Sequence, residues 1–316
     1  MQQNATVVME TRDDPFVPGG VLEGLDQRAE CSSHGPAGAQ AIKLRILSRC
    51  PRAARTARYA KALFRGESEL RLLPWLCDAS RVTIDVGAHH GTYTLGASRY
   101  SRRVTAVEPQ PGYAAALRNA APLNTTLVEA ALSNRSREGL LKVPLADQNS
   151  GMARLDFDDR SEKHWCEQRV TLMRLDDIAL EPVGFVKIDV EGHELEVLEG
   201  AARIIVSDRP NFLIEIEERH RPGSLCDVSR YLHHYGYAGY FVLNGEIRPL
   251  SEFDVATHQD PLLIGNGPRA TYSDYINNFI FLPPMVDPPS MVPSPWRALR
   301  SFVSETVNRK TGQWPS

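Results

Sequence analysis

The sequence predicts an α/β fold, a doubly wound and mostly parallel sheet, from three observations. Short β-branched runs alternate with helical segments along most of the chain, as strands do with crossover helices. The first run, Val82-Thr83-Ile84-Asp85-Val86, ends directly in a glycine loop, Gly87-Ala88-His89-His90-Gly91. The second, Arg103 to Val107, ends in a carboxylate, Glu108, roughly 20 residues past that loop.

In chain order, residues 1 to 40 are rich in Gly, Pro, Ser and charge without periodicity, so a flexible arm is expected. Residues 41 to 80 turn helical, with apolar groups around Ile42–Leu47 and Tyr59–Leu76, and form a helical cap. The main domain is assigned to residues 81 to 283. After the first strand, Thr92 to Tyr100 reads as a helix. A helix opened by Pro109-Gln110-Pro111 follows the second strand, with proline at a permitted first-turn position. Strands are expected at Thr125–Ala131, Leu140–Leu145, Arg169–Leu175, Phe185–Val190, Asn211–Ile216, Tyr237–Leu243 and Asn278–Leu282, with a helix over Val228–Tyr235. Residues 284 to 316 form a proline-rich tail. Within it Ser294-Pro295 caps a short amphipathic helix bearing Trp296, Leu299, Phe302, Val303 and Val307. Docking on the domain or on a partner subunit accounts for that apolar face, so a homodimer stays open; membrane contact is the alternative.

Composition narrows the partners. A net charge of −3 over 316 residues, with 42% hydrophobic and 24% charged, gives no electrostatic reason to expect nucleic acid or an anionic membrane. The five cysteines are scattered and form no C-x-x-C pair. They read as reduced thiols, and a cytoplasmic location is expected. Neither a signal peptide nor an apolar run long enough to span a bilayer is evident.

Glycines at a strand-to-helix turn let the backbone approach a ligand closely, and in an open parallel sheet the ligand crevice lies at the carboxyl ends of the strands. The spacing here is D-x-G-x-x-x-G, not the G-x-G-x-x-G that seats a pyrophosphate on a helix N-terminus. A leading carboxylate, Asp85, repels a pyrophosphate and suits a cationic ligand. S-adenosylmethionine carries an ammonium and a sulfonium and no phosphate. The expected binding set is Asp85, Gly87, Ala88, Gly91 and Thr92 in the loop, with Glu108 and Pro109 after the second strand. Glu108 would accept both ribose hydroxyls, a feature that NAD shares. Glu129 and Ala130, after the third strand, would border an adenine ring.

A second segment, Val186-Lys187-Ile188-Asp189-Val190-Glu191-Gly192-His193-Glu194, brings titratable residues to alternate positions at a strand end. Alternate positions on a strand share a face. A central parallel strand is apolar on both faces, so such charge is costly unless it pairs or works. A self-satisfied ion network is one account; a reaction site is the other.

Taken together, Val82–Thr94, Val104–Pro111, Leu172–Asp177 and Val186–Ala201 resemble the FkbM family of class I methyltransferases, with K-I-D-V-E-G-H-E the most specific part. The resemblance covers roughly residues 67 to 283, and Asn278-Phe279-Ile280-Phe281-Leu282 is similar to the family's closing strand. It implies a seven-stranded sheet with an antiparallel last strand, S-adenosylmethionine as methyl donor, and oxygen as the usual acceptor atom. Family members act on sugars, polyketides and other natural products.

Methyl transfer requires alignment and removal of a proton from the acceptor hydroxyl. His193 and Glu191 are the candidate bases. Asp189 is expected to hold the donor's amino-acid end or orient the base, with Lys187 paired to it. A divalent cation on Asp189, Glu191 and His193 is the alternative, but no second ligand cluster accompanies it, and no metal is assigned. The polar stretch Asp147 to Lys163, with Trp165 nearby, is placed to be a lid or acceptor loop. Asn149 could hydrogen-bond a sugar hydroxyl there, and a solvated loop is the plainer reading. Two rivals remain: a nicotinamide-dependent oxidoreductase, and a binding module without catalysis.

Overall fold

The structure is a computed structural model that describes residues 51–65, 67–144, 153–155, 165–264 and 275–311. The expected N-terminal arm and most of the polar loop, including Asn149, lie outside the described residues.

Helix α1 (Pro51–Arg65) is followed by a 3-10 turn (Ser68–Leu72) and short α2 (Leu73–Leu76). The alternation begins with β1 (Val82–Val86), α3 (Thr92–Ala97), β2 (Arg103–Val107), α4 (Pro111–Ala120) and β3 (Thr125–Val128). The chain then leaves the sheet for β4 (Ala131–Leu132), β5 (Arg137–Pro144), β6 (Arg154–Leu155) and β7 (Trp165–Met173). It returns through α5 (Leu175–Ile178) to β8 (Val183–Ile188), α6 (Glu194–Glu199), α7 (Ala202–Ser207), β9 (Asn211–Glu215) and α8 (Ser224–His234). Strands β10 (Ala238–Leu243) and β11 (Glu246–Pro249), helix α9 (Val255–His258), β12 (Asn278–Leu282) and α10 (Pro295–Thr311) complete the order.

The main sheet runs β11-β10-β12-β9-β8-β1-β2-β3. Strands β3, β2, β1, β8 and β9 are mutually parallel, and β12 enters antiparallel between β9 and β10. The expected seven strands are therefore present, with β11 as an eighth. It forms a hairpin with β10 through Asn244-Gly245, both at positive φ, the backbone that a two-residue hairpin demands. A second sheet, β4-β7-β5-β6, lies beside the first. It explains why the expected third strand stops early: β3 ends at Val128, and Ala131-Leu132 pair with β7 instead.

All residues of β1, β8 and β12 are buried, as central strands covered on both faces require. One face packs Ile84, Val186 and Phe212 beneath Val197, Ile204 and Val228 of α6, α7 and α8. The other packs Phe185, Leu213 and Ile280 against Tyr59, Leu63, Leu73 and Phe302 of α1, α2 and α10. Helix α10 starts where Ser294 Oγ accepts the Arg297 N–H at 3.3 Å. Its inward residues are Ala298 and Phe302, while Trp296 and Val303 of the expected apolar face point outward. Among the described residues, no helix is long and apolar enough to cross a membrane.

Candidate functional site

The site forms where the carboxyl ends of β1, β2 and β8 meet. Gly87 has φ +76°, and a Cβ on it would stand 1.9 Å from the Asp189 backbone oxygen. Only glycine fits a left-handed backbone pressed against a neighbouring backbone segment. The loop is held down by the Gly87 and Ala88 N–H groups, both donating to Val107 O at 3.0 Å, and by Asp189 N donating to Val86 O at 3.0 Å. Gly91, also left-handed at φ +73°, turns the chain into α3.

Two cavities flank this junction, and Gly87, His89 and Asp189 line both. The first, about 740 Å³, is also lined by Glu108, Pro109, Ala130, Leu132 and Glu191. Leu141 and Leu155 from the second sheet also line it. Glu108 is buried, and its two oxygens accept the His89 N–H at 2.8 Å and the Gln110 N–H at 2.9 Å. Burial pushes its pKa up to about 7, against the pull of those two amides. Each oxygen keeps a lone pair for a ligand.

The second cavity, about 630 Å³, collects Glu67, Asp85, Thr92, Tyr93, Lys187 and Asp189, with Ala88 also on its wall. Asp85 accepts a hydrogen bond from the Thr94 hydroxyl, and burial raises its pKa. Glu67 accepts from the Tyr93 hydroxyl. Lys187 is 1% exposed, with Nζ 3.0 Å from Asn278 Oδ1 and 3.8 Å from Glu215. Burial works against its charge, but Asp189, Glu215, Glu67 and Asp85 outweigh burial and hold its pKa above the ordinary value. Burial lifts Asp189 to about 7 despite Lys187, with Glu191 pushing the same way. One buried cation stands among four carboxylates, and burial raises the pKa of Asp85, Asp189 and Glu215, so these groups gain from a proton or from a cationic ligand group. Among the described residues, no group of three or more His, Cys, Asp and Glu is arranged to hold a metal ion.

Several expected roles change. The charged stripe does not lie along a strand: β8 ends at Ile188, and Glu191 and Gly192 take φ +57° and +102°. Lys187 and Asp189 still share the second cavity, and the turn sends Glu191 and His193 elsewhere. Lys187 points under the sheet's end into the second cavity, and Asp189 sits between the cavities. Glu191 faces the first cavity, with Oε2 2.7 Å from His220 Nδ1. His193 lies at the N-cap of α6, with Nε2 2.9 Å from Ser133 Oγ and Nδ1 3.7 Å from Glu196, and lines neither cavity. Glu129 is exposed and ion-paired with Arg118, because the chain turns after Val128 and brings Ala130 inward in its place. Gly91 lines neither cavity and acts on the backbone alone.

Glu67, Glu215, Asn278 and His220 were not singled out from the sequence. For two of them a signal exists. Glu215 ends a buried strand as Glu108 does, and Asn278 begins an antiparallel one at the same edge. Polar residues at that edge face the crevice.

Residues 85–238 match the methyltransferase FkbM domain model. Among solved structures, methyltransferase FkbM from Methylobacillus flagellatus KT is 18% identical, with a TM-score of 0.42, over 65% of this chain and 44% of that one. The chain thus spans less than half of that protein's length. An rRNA methylase from Streptococcus thermophilus is 12% identical over 68% of this chain and 93% of its own, with a TM-score of 0.37. TYW2 from M. jannaschii, solved in complex with AdoMet, is 13% identical over 68% and 75%, with a TM-score of 0.35. No curated protein matches the chain. The span that matches the model holds Gly87, Glu108, Asp189 and the Glu191–His220 pair; Glu67 and Asn278 reach the site from outside it.

Proposed function

We propose that this FkbM methyltransferase domain takes a methyl group from S-adenosylmethionine and transfers it to a hydroxyl oxygen on a sugar, polyketide or other natural-product scaffold. The observation that carries the donor assignment is the pair of unlike cavities joined at Gly87 and Asp189. The first is apolar at Ala130, Leu132 and Leu141, with one carboxylate, Glu108, fixed by backbone amides; that chemistry fits an adenosine with its ribose hydroxyls on Glu108. The second is lined by Glu67, Asp85 and Asp189 and fits the amino-acid end, with those carboxyl groups for its ammonium. Close approach at the join fits glycine at 87.

The donor supplies an electrophilic methyl on sulfur. The chain's own task is to align the acceptor oxygen and take its proton. Glu191 is the base in this reading. It lines the first cavity, beside the Asp189 junction, with Oε2 2.7 Å from His220 Nδ1. His193, turned to Ser133, serves to anchor the turn after β8 to the second sheet.

Calorimetry with S-adenosylmethionine, S-adenosylhomocysteine and NAD tests the donor; only the first two should bind. A panel of hydroxylated acceptors, read by a mass gain of one methylene, tests transfer. Glu191→Gln should keep S-adenosylhomocysteine affinity within about threefold while lowering turnover roughly 10²–10⁴-fold. Wild-type turnover in that variant removes Glu191 from the role.

A further inference from the structure

Helices α1 and α10 hold nine of the chain's 36 Lys and Arg, but only one of its 39 Asp and Glu, Glu305. Whole-chain balance hides this asymmetry, since it leaves the remainder distinctly acidic. The two helices lie side by side on the domain. Tyr59 and Phe302 meet at 4.6 Å between ring centres, and Phe64 and Trp296 meet edge to face at 4.8 Å. Tyr59, Leu63, Ala298 and Phe302 are buried, so the inner faces are accounted for.

The outer face is not. Trp296 is 63% exposed, Val303 52% and Phe64 40%. Trp296, Arg300 and Val303 follow helical spacing along one side of α10, and Lys61 stands one turn before Phe64 on α1. Arg58, Lys61, Arg297 and Arg300 are all exposed around these apolar side chains, and among the described residues none of the four is in an ion pair.

We propose that this α1–α10 face docks on an anionic phospholipid surface, with Trp296, Phe64 and Val303 entering the headgroup layer and the four cations on the lipid phosphates. Aromatic and aliphatic side chains ringed by Lys and Arg suit that layer, where the rings leave water while the cations remain hydrated. Nucleic acid would use the charge but leave the apolar centre exposed. A symmetric contact with a second copy would bring like-charged faces together. The proposal is independent of methyl transfer and of the donor.

The test is co-sedimentation of the full chain with vesicles of phosphatidylcholine alone, and of phosphatidylcholine mixed three to one with phosphatidylglycerol. Partition into the anionic vesicles should be at least about tenfold stronger and should weaken with added salt. Lys61→Glu combined with Arg300→Glu should remove the preference. Trp296→Ser should weaken binding several-fold while keeping the salt dependence. All substituted side chains are exposed, and unchanged melting temperatures confirm intact folds. Equal binding to both vesicles, no binding to either, or variants that bind like the wild type would overturn the proposal. So would a dimer in sedimentation velocity that Trp296→Ser dissociates.

Discussion

Replacing Gly87 by alanine tests the junction on which the donor assignment rests. The added Cβ would begin 1.9 Å from Asp189 O, and ordinary contact starts at 3.4 Å, so β1 and β8 must part by about 1.5 Å at their carboxyl ends. The opposing atom is backbone and cannot rotate aside. That separation breaks the Asp189 N–H bond to Val86 O, now 3.0 Å long, a loss of about 1 kcal/mol. The left-handed φ of +76° costs alanine a further ~1–2 kcal/mol. With distortion of the packed strands, Gly87→Ala should lose roughly 3–5 kcal/mol in urea unfolding. Because Asp189 lines both cavities, affinity for S-adenosylhomocysteine should fall by more than about 100-fold in calorimetry, even where the variant stays folded. Stability within about 1 kcal/mol of wild type, together with affinity within threefold, would refute the reasoning.

Three further outcomes are expected. Glu108→Ala deletes the acceptor for two backbone amides and for the ribose, so S-adenosylhomocysteine affinity should drop about 10²-fold. Wild-type affinity should rise as pH passes about 7, where Glu108 ionises and becomes the stronger acceptor, and Glu108→Gln should flatten that rise. At Glu69, burial and then the neighbouring Glu67 lift the pKa from 4.5 to about 7. The folded state therefore binds this proton more tightly than the unfolded chain, and Glu69 costs stability progressively as pH climbs from about 4.5 to 7. Glu69→Gln should stabilise by up to roughly 3 kcal/mol at pH 8 and by almost nothing at pH 4, in paired denaturant titrations.

The parallel half of the fold was readable because its strands are apolar runs bounded by glycine, proline and acidic residues. Its boundaries failed where a backbone turn overrode the pattern. At Val128 the chain hands two residues to another sheet, and after Ile188 it bends into positive φ at Glu191 and Gly192. The alternation from Lys187 to His193 therefore looked like one face and is not. Glu108 and Asp189 were legible because strand ends face the crevice in any open α/β sheet. Glu67 and His220 were not, since each reaches the site through a contact distant in sequence: Glu67 is 26 residues from Tyr93. The same distance hid the basic face of α1 and α10, because the helices that share it lie at opposite ends of the described chain.

The antiparallel entry of β12 between β9 and β10 bears on how the protein is made. The parallel strands through β9 are complete by Glu215, yet the backbone edge of β9 has no partner until residues 278–282 have been synthesised. For that interval the growing chain presents an unpaired strand carrying Phe212 and Ile214, the kind of edge that recruits other chains. A fragment cut to residues 85–238 would hold that condition permanently. Soluble expression of the domain therefore calls for a boundary beyond Leu282.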